Sequence, residues 1–174
     1  MSHTLLIMLV ALFFSALFSG LEIAFVSADR LRFEMDVERH TFSSRLLERF
    51  FRNPNIYIST MLVGNNIALV LYSTMMAHLI EILLAKVPGF HIGNEFLLVL
   101  IETLVSTAVV IVIGEFLPKT IFRSNPNGKL NILAFPIYLI YIILYPISLF
   151  TTWLARIILR LLGVRIDKEK ADKA

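Results

Sequence analysis

Glu115 stands in a run, TAVVIVIGEFLPKTIF (residues 107–122), that is otherwise apolar until Pro118 and Lys119. A carboxylate at bilayer depth costs about 2.5–3.5 kcal/mol on insertion scales, so such a group usually faces a cavity, a partner or an ion. Other apolar runs carry polar residues too. Ser15, Ser19 and Glu22 recur at i, i+4 and i+7 and therefore share one helix face. Gly64 is followed by adjacent amides, Asn65 and Asn66. Hydroxyls, amide carbonyls and a carboxylate are all hard oxygen donors. The chain has no cysteine, and His3, His40, His78 and His91 form no HExxH pair. Such a set suits Mg²⁺, Na⁺ or Ca²⁺ and disfavours zinc or copper. Pro118 contributes through the backbone: its missing N–H is expected to leave the Gly114 carbonyl without its i+4 donor, beside the Glu115 carboxylate. Irregular backbone at membrane depth is tolerated where it lines a cavity, and broken helices recur at transporter ion sites. Gly114, Glu115 and Pro118 are thus expected to belong to one ion site, with Lys119 snorkelling to the inner interface.

Each of these residues also has a plainer reading. A membrane serine can bond back to its own i−4 carbonyl, and asparagines can simply hold helices together. Glu22 can pair with a cytoplasmic arginine or with Lys119. Glu102 lies about three and a half turns from Glu115, too far to share an ion; an interhelical hydrogen bond or a dimer contact is expected of it. Ala16 and Gly20 form a small-xxx-small strip that would let another helix come close. An acid and a helix break in one segment tip the balance towards an ion site.

The elements that must carry these groups follow from composition. Of 174 residues, 57% are hydrophobic and 17% charged, below the quarter charged that is usual for soluble domains. Four apolar stretches, about 4–28, 56–85, 96–117 and 130–163, are each long enough to span ~30 Å of hydrocarbon. One all-α polytopic membrane domain over residues 1–163 is expected, without a second globular unit. The first stretch lacks a basic leader and is too long for a signal peptide, so it reads as a retained helix. The basic balance could suggest nucleic acid, but Arg and Lys flank the spans, so anionic inner-leaflet lipid is the expected partner.

Arginine and lysine also set orientation. Six arginines lie in DRLRFEMDVERHTFSSRLLERFFRNPN after the first stretch, whereas KVPGFHIGNE holds only Lys86. The N-terminus is therefore expected outside and the C-terminus in the cytoplasm. The fourth stretch is basic at both ends and contains Pro136 and Pro146. It reads as a kinked juxtamembrane belt helix in the inner leaflet, with three transmembrane helices before it. Leu46, Leu47 and Phe50 recur near helical spacing in the arginine-rich loop, which should form one or two cytoplasmic amphipathic helices with a solvated face. An enzyme is not expected: no histidine metal motif, Ser–His pair or paired aspartates stand at helical spacing.

Three segments in order resemble a known family. SALFSGLEIAFVS (15–27), NPNIYISTMLVGNN (53–66) and GEFLPKT (114–120) are similar to signatures of the membrane domain of the CorC/CNNM magnesium transporters. The resemblance covers essentially the whole chain. It implies a homodimer of three crossings with a belt helix per protomer, in the bacterial inner membrane. It implies Mg²⁺ held among the first three helices and exported in exchange for Na⁺ entering. The ligands it implies are Ser15, Ser19, the Gly64 segment with Asn65 or Asn66, and Glu115. Many relatives carry a further Asn where this chain has Leu69, one polar ligand fewer. The family usually continues into a pair of CBS domains that bind adenine nucleotide. Residues 164–174 read as the start of a linker to them, so ATP regulation is not expected of this chain. The alternative function is a membrane-anchored scaffold or sensor acting on a separate transporter.

Overall fold

The computed structural model describes residues 2–29, 31, 42–86 and 95–162, and no strand occurs among them. The elements are α1 (Ser2–Ser27), α2 (Phe42–Arg52), α3 (Pro54–Leu84), α4 (Glu95–Val109), a π-helical segment (Val110–Phe116), α5 (Leu117–Ser124) and α6 (Pro126–Leu161). Pro54 and Pro126 open α3 and α6, where a fixed φ favours the helix and no donor is lost. Asn125 caps α6 by accepting the Gly128 N–H at 3.3 Å. The loop expected between the second and third spans, part of the arginine-rich loop, and the tail beyond 162 lie outside the described residues.

Four apolar runs of 26, 31, 29 and 36 residues are long enough to cross a membrane. The third is composite, joining α4, the π segment and α5 without ending at residue 117 as the hydropathy suggested. Pro136 and Pro146 likewise lie inside α6 without ending it. The chain is an all-helical, multi-pass membrane protein.

Helix α1 is the hub. Of its apolar run 44% is buried, against 11% for α3 and 6% for the third run, and α3, the π segment, α5 and α6 all pack on it. Glycines set two of these contacts. A Cβ on Gly20 would lie 2.5 Å from the Phe122 ring, and one on Gly64 would lie 2.6 Å from the Phe18 ring. Gly20 thus receives α5 on the small-residue strip, and Gly64 of α3 receives an α1 phenylalanine.

At one end of α1 an aromatic cluster closes the bundle. Phe25 stacks on Tyr57 at 4.2 Å and on Phe51 at 4.7 Å, while Phe50 lies 5.1 Å from both Tyr57 and Tyr141. The amphipathic loop helix is therefore not merely a solvated surface element. In α2, Leu47 and Phe50 are buried with Leu21, Ala24, Leu130, Ala134 and Ile137. Arg49 donates to the Tyr138 hydroxyl at 3.3 Å, and Thr152 donates to Ser59 at 3.3 Å, tying α6 to α2 and α3.

Replacing Gly20 or Gly64 with Leu is expected to lower the unfolding midpoint in detergent. The overpacking penalty is about 1–3 kcal/mol each. Leu62→Ala, on the exposed face of α3, should change it far less in the same fluorescence melt.

Candidate metal centre

Three helices meet at Ser15. Its hydroxyl, fully buried, donates to Asn65 Oδ1 of α3 at 2.8 Å. From the third run comes Gly114, also buried; a Cβ there would lie 3.4 Å from both Ser15 Oγ and Leu12 Cδ1. A Cβ at 114 would just touch the serine hydroxyl, so the backbone of the third run lies close against Ser15. The plain reading of a membrane serine, back-bonding to its own helix, does not apply to Ser15. Thr60, Thr74, Thr103, Thr120 and Ser148 all do bond to their i−4 carbonyls, at 2.7–3.0 Å.

Ser19, one turn along the same face, is fully buried and its hydroxyl has no hydrogen-bond partner. Leaving a buried donor-acceptor unpaired costs about 1–3 kcal/mol. An oxygen so placed, one turn from the Ser15–Asn65 pair, fits a ligand role.

The approach of Gly114 depends on the π segment. Its last bond runs from the Leu117 N–H to the Val112 carbonyl, five residues back. Such insertions occur frequently at functional sites. The π segment ends at Phe116, and the helix is not broken beyond it: buried Pro118 opens α5, which continues to Ser124. Glu115, partly buried, follows directly on Gly114, and its Oε2 lies 3.9 Å from Lys119 Nζ. Lys119 is therefore an ion-pair partner of Glu115, not only an interface anchor.

The remaining sequence candidates separate. Asn66 is exposed; adjacent residues on a helix point about 100° apart, and Asn65 is the one turned to Ser15. Gly64 serves the Phe18 contact. Glu22 is partly buried, further along α1. Glu102 shares a less exposed stripe of α4 with Leu98, Ser106, Val109 and Val110, and Tyr72 donates to the Ser106 carbonyl at 3.3 Å. Its Oε1 is enclosed by the chain's own atoms with no hydrogen bond, so the interhelical bond expected there is not made. Among the described residues no three His, Cys, Asp or Glu side chains cluster. The donors placed at Ser15 are thus neutral oxygens, chemistry that suits a hard cation, while the Glu115 carboxylate is placed against Lys119.

A family profile described as the cyclin M transmembrane N-terminal domain matches residues 6–174. The UPF0053 inner membrane protein YfjD of Escherichia coli is 29% identical over 88% of this chain and 33% of its own length. UPF0053 protein MG146 of Mycoplasma genitalium is 26% identical over 80% of the chain and 32% of that protein. A UPF0053 protein of Haemophilus influenzae is 24% identical over 98% and 38%, respectively. The chain spans about a third of the length of these relatives.

Asn65→Leu removes the acceptor for a buried hydroxyl and should lower detergent stability by about 0.6–1.7 kcal/mol, the range for membrane hydrogen bonds. Asn66→Leu, on the exposed side, should leave the melting curve unchanged.

Proposed function

Because the chain belongs to the cyclin M transmembrane-domain family, we propose that it is the membrane pathway of a Mg²⁺ transporter, exporting the ion from the cytoplasm in exchange for Na⁺. The observation that carries this reading is the convergence of Ser15, Asn65 and Gly114 beside a buried, unpartnered Ser19 hydroxyl. Mg²⁺ sheds water reluctantly and demands close oxygen ligands. Ser15, Ser19 and Asn65 would replace part of its hydration shell, and Glu115 would supply charge. Binding requires the Ser15 hydroxyl to turn a lone pair to the ion, and the Glu115 carboxylate to swing from Lys119. Na⁺, also a hard cation, would use the same oxygens on the opposing gradient. The π segment is the element able to change register and open the site to either side. The chain carries no chemistry of its own in this account and is not an enzyme.

Three crossings, with α6 as the belt, best suit the contacts of α6. Tyr138 and Tyr141 meet Arg49 and Phe50, while Thr152, about 16 Å further along α6, meets Ser59. Over that length α6 keeps to the end of α2 and the first two turns of α3, which fits a belt helix at the inner membrane surface. The arginine-rich end then faces the cytoplasm and anionic lipid, with the N-terminus outside. The third run, largely uncovered within one chain, supplies an apolar face for a homodimer. In a longer protein the C-terminal end would lead to the CBS pair.

The Ser15–Asn65 bond also suits the rival reading, in which polar residues merely hold a scaffold or sensor together. Flux into proteoliposomes separates the two. Glu115→Gln should abolish Mg²⁺ flux while leaving the size-exclusion profile intact. Undiminished flux in that variant would remove the transport reading in favour of the scaffold.

A further inference from the structure

We infer that Lys119 is a tethered cation that competes with the transported ion for the Glu115 carboxylate, and so limits how tightly the ion is held. The inference rests on the transport reading above. Glu115 precedes Lys119 by four residues, the favourable order for such a pair on a helix. At 3.9 Å the pair is too long for a hydrogen bond. It is an electrostatic contact that a better-placed cation can displace.

The surroundings single Lys119 out. Lys129 is engaged elsewhere: its ammonium donates to the Ile121 carbonyl and to Ser124 Oγ, and lies 5.5 Å from the Phe122 ring centroid. Arg123, one turn beyond Lys119, is exposed. Among the described ion pairs, Lys119 is the cation held by Glu115. Its backbone is also fixed. Buried Pro118 precedes it, and Thr120 bonds back to Phe116 at 2.9 Å. The ammonium is therefore tethered within reach of the same carboxylate.

Two effects follow for an ion ligated by Glu115. The carboxylate must leave Lys119, and the ammonium then remains as a nearby like charge. With side chains 43% and 36% exposed, solvent screens the pair, and exposed pairs are worth at most about a fivefold change in an equilibrium. Repulsion of a dication by the remaining ammonium adds to this. Loose binding is what a carrier needs, since an ion bound too tightly is not released.

The test is isothermal titration of Mg²⁺ into the whole chain in Na⁺-free, low-salt detergent, comparing native protein with Lys119→Met, Lys119→Gln and Lys119→Arg. Neutral replacement should tighten Mg²⁺ about three- to tenfold, and Arg, which keeps the charge, should restore binding close to native. Equal or weaker binding in both neutral variants, with native elution profiles, overturns the competitor role and leaves the transport reading standing. Absence of saturable binding in the native protein overturns both.

Discussion

The hydrogen bond from Ser15 to Asn65 is the point about which the membrane helices are arranged. In hydrocarbon a buried hydroxyl has few options: its own helix, another helix or a ligand. Ser15 takes the second, which sets the register of α3 against α1. The third run comes close at Gly114, whose backbone lies against the serine oxygen so that a Cβ would just touch it. Two neighbouring contacts repeat the device in reverse, with Phe18 seated on Gly64 and Phe122 on Gly20. Glycine against a bulky or polar partner thus recurs along α1, and each instance brings a different helix within reach of the serine face.

Most polar groups in the bundle are satisfied locally. Threonines and Ser148 bond to their own helices, and Thr152 also reaches Ser59. Against that background Ser19, like the Tyr57 hydroxyl and Glu102 Oε1, is buried and unpartnered, and it lies at the turn after Ser15. Glu115 is loosely held by a single lysine. A structural element would be expected to tie such groups down. One hydroxyl left unpaired on α1 and one carboxylate weakly engaged on the π segment suit an ion that arrives and departs.

Much of this was legible in the residues. Hydropathy located four long helices, all but the end of the third within a few residues, because a 20-residue apolar run has little alternative in lipid. Oxygen donors at i, i+4 on α1 pointed to the right face. What escaped was register. Nothing in VIVIGEFLPK announces a five-residue turn, and the break expected at Pro118 is instead a helix that continues to Ser124. The choice between Asn65 and Asn66 depends on how α3 rotates against α1, and that rotation is fixed by Phe18 meeting Gly64, a packing fact with no local signature. The docking of α2 was hidden likewise. Its charges read as a solvated surface, whereas Leu47 and Phe50 find an aromatic pocket made by residues distant in sequence. Glu102 was expected to make an interhelical hydrogen bond or a dimer contact, and within one chain its Oε1 has no partner.

The central claim is that a hard cation binds where Ser15, Asn65 and the Gly114–Glu115 backbone meet. Anomalous diffraction from crystals of the chain soaked in Mn²⁺, standing in for Mg²⁺, tests it most directly. The account predicts one peak per chain with oxygens of Ser15, Asn65 and Glu115 within about 2.0–2.6 Å, the range for hard-cation ligands, and Glu115 turned away from Lys119. Peaks confined to surface carboxylates, with the Ser15–Asn65 and Glu115–Lys119 contacts intact, would contradict it and return these residues to helix packing.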